Sequence, residues 1–277
     1  MVSSDMTDRW LAEDAPYFDL TSKLLGIGDE PARISYFSRH EAILSSMEEA
    51  ARLLARTGLS VTRTAIDGTR VDEGETFLCA EGAFGAVHTA WRVTLSLLEY
   101  SCGISTRTRR LVDAVKRVNP NVAVLSTRKI FPGTKHVSIN AILAGGALPH
   151  RLGLSETILI FEYHLRDIGG YAGLAARIPE LKNRACEKGI CVEVGSREDA
   201  VLLAKAGVDA LQFDKVPPEE LRPIAAEIKG IDPRVRLIAA GGVNGENAVD
   251  YAASGVDAVS TTWMYFGKPA DLSARIE

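Results

Sequence analysis

From residue 122 onward the sequence repeats one theme: a short apolar run, a polar residue, a helical stretch, then the next apolar run. The runs fall at 122–125, 157–161, 190–194, 210–213, 237–240 and 258–261, with helical patterns at 135–144, 174–187, 196–206, 218–229 and 245–254 between them. Strands this short and this apolar, alternating with helices, predict a parallel sheet covered on its faces. Six such units closing on one another fit a (β/α) barrel better than an open sheet. The early turns also lack the G-x-G-x-x-G of a dinucleotide-binding fold. The expected fold class is therefore α/β.

The first 110 residues read differently. A helix is expected around residues 9–12, followed by the hinge Asp14-Ala15-Pro16. Another covers 47–57 and stops before Gly58, and strands are expected at 59–66 and 76–79, with Asp67-Gly68 and Glu73-Gly74 as turns. A long apolar helix over 86–100 is expected to stop near Gly103, with a second helix over 106–118. No apolar run approaches the roughly 18 residues of a membrane span, and the opening MVSSDMTDRW lacks the pattern of a secretory signal. Cys79, Cys102, Cys186 and Cys191 are scattered without C-x-x-C spacing, so reduced thiols in a cytoplasmic protein are expected. A net charge of −4 argues against a nucleic-acid partner.

In a (β/α) barrel the strand ends share one rim, where active sites sit. Here those ends carry Thr127-Arg128-Lys129, Glu162, Glu193, Asp214, Gly241-Gly242 and Thr262. Ala240-Gly241-Gly242 follows a strand and precedes a helical stretch, a place where backbone N–H groups can take a phosphate; a tight turn without a ligand is the other reading. Asn244, Thr261 and Thr262 are grouped with it as phosphate-side candidates. Glu193 and Asp214 end successive strands, so they read either as a magnesium-holding pair or as structural acids, one of them against Lys215. Arg128, Lys129, His150 and Arg151 form a basic group suited to an acidic small molecule, because a guanidinium can pair a carboxylate through two parallel hydrogen bonds. Each alone reads as a surface charge. His164 and Trp263 lie near the rim without an assigned role, Asp167 to Gly173 reads as a mobile loop or a plain connection, and Trp91, Leu95, Leu98 and Tyr100 read as packing residues.

Several of these segments together resemble the quinolinate phosphoribosyltransferase (nicotinate-nucleotide pyrophosphorylase) family: Ser126-Thr127-Arg128-Lys129, Pro132-Gly133, Ala144-Gly145-Gly146, His150-Arg151, Val192-Glu193-Val194, Asp214 and Gly241-Gly242. The likeness reaches back to Glu13-Asp14 and Asp19-Leu20-Thr21. Within the family, Ala90-Trp91-Arg92 and the segment from Gly153 to Phe161 resemble the ModD branch, whose members are usually called pyrophosphorylases. The resemblance implies an N-terminal α/β sandwich over residues 1–110, with 268–277 as a candidate addition, beside an incomplete TIM-like barrel over 111–267. It implies a homodimer in which Arg92 of one subunit reaches the other's site. Arg128, His150 and Arg151 would hold the substrate acid, Lys129 would lie near the reaction centre as a catalytic residue, and Glu193 and Asp214 would act through magnesium, with no organic cofactor. Gly241, Gly242 and nearby backbone would take the 5′-phosphate.

The chain also departs from that pattern. Phe161 and Glu162 stand where the quinolinate enzymes have lysine and aspartate; Cys191 and Ile238 replace glutamates, and Ala240 replaces a serine. Lys135 and Ser138-Ile139 differ in the same way. These exchanges suggest a less ionic or larger acceptor than quinolinate. The expected reaction is ribosyl 5-phosphate transfer from phosphoribosyl pyrophosphate to a ring nitrogen of an aromatic acid. The rivals are a non-catalytic paralogue binding a phosphorylated metabolite or molybdate, and a barrel isomerase or synthase acting on a sugar phosphate.

Overall fold

Every apolar run read as a strand in the second half of the chain forms one. The structure, a computed structural model, describes residues 4–277. In chain order it begins with α1 (Ser4–Asp14), α2 (Leu20–Leu25), β1 (Pro31–Ser38), β2 (Ala42–Ile43), α3 (Met47–Arg56), β3 (Ser60–Thr64), β4 (Arg70–Val71), β5 (Thr76–Ala83) and α4 (Phe84–Val118). There follow β6 (Ala123–Ser126), α5 (Lys135–Ala144), β7 (Leu148–Pro149), β8 (Ile158–Ile160), α6 (Gly170–Arg184), β9 (Ile190–Val194) and α7 (Arg197–Ala206). The chain continues with β10 (Ala210–Asp214), α8 (Pro218–Ile231), β11 (Arg236–Ala240), α9 (Ala248–Ala252), β12 (Ala258–Thr261) and β13 (Leu272–Ile276). The chain forms two compact units.

The first unit takes the chain up to Arg109, then Ile130–Gly146 and Met264–Glu277. Its main sheet is antiparallel, in the order β13-β1-β5-β3, with β2 and β4 as a small separate pair. Period-two alternation in β1 turns Ile34 and Tyr36 into a core shared with Phe77, Leu78, Leu54 and Leu98. Gly103 does not stop a helix: α4 runs unbroken past it. A Cβ there would lie 2.9 Å from the Ala270 amide nitrogen and 3.0 Å from the Lys268 carbonyl oxygen, so glycine is required by the crossing of residues 268–270. Leu95 and Leu98 are buried, as their packing role requires.

Ile130–Gly146 belongs to this unit, although its helical pattern reads as part of the barrel repeat. The reason is local. Buried Glu49 of α3 faces His136 (3.5 Å) and accepts a hydrogen bond from Asn140 (3.4 Å), both on α5. A Cβ on Gly145 would lie 2.4 Å from Thr108 on α4, so the end of α5 packs against that helix with no room to spare.

The second unit holds Arg110–Lys129 and Ala147–Trp263. Its seven strands run parallel in the order β7-β6-β12-β11-β10-β9-β8. The sheet curls, but β7 and β8 at its two ends are not paired, which makes it an incomplete barrel. Side chains alternate between its faces. Val124, Val192, Val194, Leu211, Phe213, Leu237, Ala239 and Val259 are buried on one, together with the helices' Ile178, Leu203 and Ile228. The other carries the apolar floor of Ala123, Leu125, Leu159, Cys191, Ala210, Ile238 and Ala258.

Asp257 ties the strands together at the end away from the rim. It accepts hydrogen bonds from Lys229 Nζ (2.8 Å), the Leu237 amide (2.8 Å) and Arg236 (3.2 Å). Burial pushes its carboxyl up, but these donors outweigh that and leave it below the ordinary carboxylate range. A depressed folded-state pKa contributes stability above the unfolded value that is lost as pH falls through the folded one. Asp257→Asn is expected to cost about 1–3 kcal/mol at neutral pH, and the difference from the unmodified chain should vanish in acid. Urea unfolding at pH 7 and at a pH well below the ordinary aspartate value of 3.8 reads both.

Candidate active site

Strand alternation decides which residues reach the rim of the half-barrel. Cys191 and Glu193 share the inner face of β9, and Gln212 and Asp214 share that of β10. Glu193 registers with Gln212, whose Nε2 donates to Glu193 Oε2 at 2.7 Å. Asp214 registers with Ala240 at the end of β11. The two carboxylates are therefore on one face but offset along it. Burial raises the Glu193 carboxyl, Asp214 adds to the rise, and the Gln212 amide, Lys129 and Lys215 oppose it. Among the described residues Asp214 makes no ion pair with Lys215.

The basic group comes from β6 and β7. Lys129 follows the loop whose Thr127 Oγ1 accepts its N–H at 3.2 Å, and His150 is held by its own N–H to the Ser126 carbonyl (2.9 Å). Arg151 is only 9% exposed, yet among the described residues it makes no ion pair or hydrogen bond. Its guanidinium stands 5.9 Å from the centre of the Phe161 ring. Burial lowers its pKa, and the nearby charge of Arg128 lowers it further. Burial and Arg151 together push the His150 imidazole down, so it is neutral at neutral pH. An arginine buried against an aromatic ring and a second arginine, without an acid, is an arrangement that an anion would complete.

At the end of β11, Gly241 (φ +78°) and Gly242 (φ +82°) both adopt left-handed backbone. Among the described residues the N–H groups of Gly241, Gly242 and Val243 have no acceptor. Consecutive open amides of this kind make an anion-binding concavity. The side chains of Asn244 and Thr261 make hydrogen bonds within the turn itself. The Asn244 Oδ1 accepts the Glu246 N–H at 2.8 Å, and the Thr261 hydroxyl donates to the Val243 carbonyl. Both shape the turn. Thr262 is half-buried and, two residues after Ser260, falls on the inner face. The helix expected from residue 245 begins only at Ala248, because the Asn244–Asn247 turn comes first. Gly245 accommodates the Trp263 ring, which a Cβ would meet at 2.7 Å.

The second unit thus brings together Arg128, Lys129, His150, Arg151, Glu193, Asp214, Ala240, Gly241, Gly242 and Thr262. Arg92 belongs to the first unit, where it lies over the Trp91 ring at 4.8 Å and lines a cavity of about 410 Å³ with Trp10, Asp14 and Tyr100. Two further residues at the site went unread in the sequence. Gln212 was discoverable, since it stands two places before Asp214 in the same strand and must share its face. Tyr171, whose hydroxyl donates to the Glu193 carbonyl at 3.1 Å, has no such signal. The Asp167–Gly173 stretch supplies the first turn of α6, with Gly169 (φ +84°) at its N-terminus. His164 closes the turn after β8 by accepting the Phe161 N–H at Nδ1 (2.9 Å).

A parallel half-barrel whose strand ends gather consecutive open amides, two offset carboxylates and two neighbouring arginines has the layout of an α/β enzyme of the barrel class. The chain belongs to the quinolinate phosphoribosyltransferase family: residues 19–102 match that family's N-terminal domain and residues 104–274 its C-terminal domain. It is 37% identical to the protein named "Putative pyrophosphorylase ModD" from Rhodobacter capsulatus, over 86% of this chain and 91% of that one. A protein of the same name from Escherichia coli is 31% identical over 100% of this chain and 97% of its own length. The solved structure of the nicotinate-nucleotide pyrophosphorylase from Francisella tularensis superposes with a TM-score of 0.90 at 26% identity, covering 100% of this chain and 98% of that one. No helix among the described residues is long and apolar enough to cross a membrane.

Proposed function

We propose that the protein transfers the 5-phosphoribosyl group of phosphoribosyl pyrophosphate to a ring nitrogen of an aromatic carboxylic acid, releasing pyrophosphate. The observation that carries this reading is the buried, unpaired Arg151 on the rim that also holds the open Gly241–Val243 amides and the Glu193/Asp214 pair. The amides would take the 5′-phosphate, and Arg151 with Arg128 and neutral His150 would hold the acceptor's carboxylate. In the transfer the ribose C1–O bond to pyrophosphate breaks and a C1–N bond to the acceptor forms. Holding the two reactants in line supplies much of the acceleration. Lys129, close enough to Glu193 to favour its charged form, would offer positive charge where the leaving oxygens gain negative charge. The name borne by the Francisella protein supports the same reaction type.

The donor set also fits magnesium. No group of three or more His, Cys, Asp or Glu side chains is arranged to hold a metal among the described residues. Two carboxylates on one face suit an ion that keeps waters and binds substrate phosphates. Glu193 and Asp214 would hold it, and its charge would stabilise the departing pyrophosphate. Arg92, exposed on α4, would complete the site of a second copy in a homodimer.

Pyrophosphate release from phosphoribosyl pyrophosphate and magnesium, across a panel of aromatic nitrogen acids, tests this directly. Glu193→Ala is expected to lower turnover by about a thousand-fold or more; full activity in that variant removes the metal role. Because burial raises the Glu193 carboxyl, activity in the unmodified protein should fall on acidification above the ordinary glutamate value of 4.5, and added magnesium should displace that fall to lower pH. Silence across the panel, with saturable binding of phosphate or molybdate, would favour a non-catalytic binding protein.

A further inference from the structure

The acceptor end of the half-barrel is divided sharply by charge. Arg128 follows β6 and Arg151 follows β7, the strand paired with it, so the two arginines leave neighbouring strand ends and the charge of Arg128 bears on Arg151. Phe161 stands beside it, half-buried, with its ring 5.3 Å from Tyr163 in a stacked arrangement. Deeper on the same face, among the described residues, the floor itself is apolar: Ala123, Leu125, Leu159, Cys191, Ile238 and Ala258. Cys191 is buried within that floor, packed with Ile238 and Ala258. The one ionisable neighbour above the floor on that strand is Glu193, which is acidic.

From this division we infer that the acceptor is a planar nitrogen heterocycle bearing a single carboxylate, with an apolar opposite edge that lies over Cys191 and Ile238 against Phe161. This rests on the phosphoribosyl-transfer reading and specifies its substrate class. The carboxylate pairs with Arg151 and Arg128. A second carboxylate turned toward the floor would be stripped of water without a partner and would face Glu193, and an unpaired buried charge is strongly disfavoured. A methyl or similar substituent there instead gains apolar contact. Phe161 is the specificity-determining residue: the aromatic face lets Arg151 stay buried and leaves no charge for a second acid.

Three acceptors discriminate: pyridine-3-carboxylate, its 5-methyl derivative and pyridine-2,3-dicarboxylate, each assayed with phosphoribosyl pyrophosphate and magnesium. The kcat/KM of the monocarboxylates should exceed that of the dicarboxylate by about 100-fold or more. Phe161→Lys, which places a cation beside the floor, should shift that ratio by about ten-fold or more toward the dicarboxylate. Equal or better use of the dicarboxylate by the unmodified protein overturns the inference while leaving the transferase reading intact. So does a ratio that Phe161→Lys does not move. Calorimetric titration with phosphoribosyl pyrophosphate and magnesium separates the two levels. Donor binding without turnover of any of the three defeats the acceptor class, and failure to bind the donor defeats the transferase reading and this inference with it.

Discussion

Alanine at Gly241 is expected to abolish productive binding of phosphoribosyl pyrophosphate. The new Cβ would lie 2.3 Å from Asp214 Oδ1, 2.6 Å from Lys215 Cγ and 2.7 Å from the Lys215 amide nitrogen. One of these cannot simply swing away: the backbone of Lys215 is pinned by its hydrogen bond to the Ala240 carbonyl (2.8 Å). The left-handed backbone at φ +78° adds about 1–2 kcal/mol of strain for any residue with a Cβ. The turn must therefore shift, taking its open amides and the Asp214 carboxylate out of position together. Donor affinity should fall by about 100-fold or more, read by calorimetric titration with magnesium present. Gly242→Ala is the matched control. Its backbone is equally left-handed (φ +82°), but nothing lies within 4 Å of its Cβ, so it reports strain without collision. Comparable losses in both variants would show that the clash with Asp214 is not what matters.

Arg151→Met should make the protein more stable and, in the same stroke, nearly inactive. An arginine that is 9% exposed as a residue and lacks any acid among the described residues weighs against the folded state, since part of its hydration is lost without a partner to replace it. Methionine keeps a long side chain against Phe161 without the charge. Denaturant unfolding is expected to show a gain of about 1–3 kcal/mol. The kcat/KM for an acid acceptor should drop by about a thousand-fold, the range typical for removing the charged partner of a buried carboxylate. A stability loss in Arg151→Met would mean that the arginine has a structural partner and is not waiting for a ligand. Arg128→Met, at an exposed neighbour, should lower activity with little change in stability.

The parallel sheet was legible because buried strands have no polar face to confuse the pattern: residues 190–194 and 258–261 could be read to the residue. The rim was legible for a related reason. Glu193 and Asp214 interrupt apolar runs near their ends, where a charged residue stands out from the pattern. What failed to show depends on contacts distant in sequence. Gly103 carries a helix-stopping residue type, and nothing near it announces that residues 268–270 will cross there. The two-residue strand Leu148–Pro149 is too short to have a period. Thr261 and Thr262 look interchangeable in a sequence; one position of alternation puts the first against the Val243 carbonyl and the second on the inner face. The helix after the glycine pair was expected too early, because the capping roles of Asn244 and Asn247 emerge only when both side chains are seen to close on the turn.

The pairing of β1 with β13 has a consequence for how the protein is made. Ile34 and Ser35 find their outer partners in Ile276 and Arg275, roughly 240 residues further along the chain. At a synthesis rate of about 5–20 residues per second, β1 emerges from the ribosome on the order of ten seconds to most of a minute before that partner exists. For that interval the N-terminal sheet carries an open strand edge, the surface on which nascent chains most readily mispair. The half-barrel, whose own strands lie between the two, is made during that wait. The sheet that is begun first is therefore finished last, and its closing strand certifies that the intervening half-barrel has been synthesised.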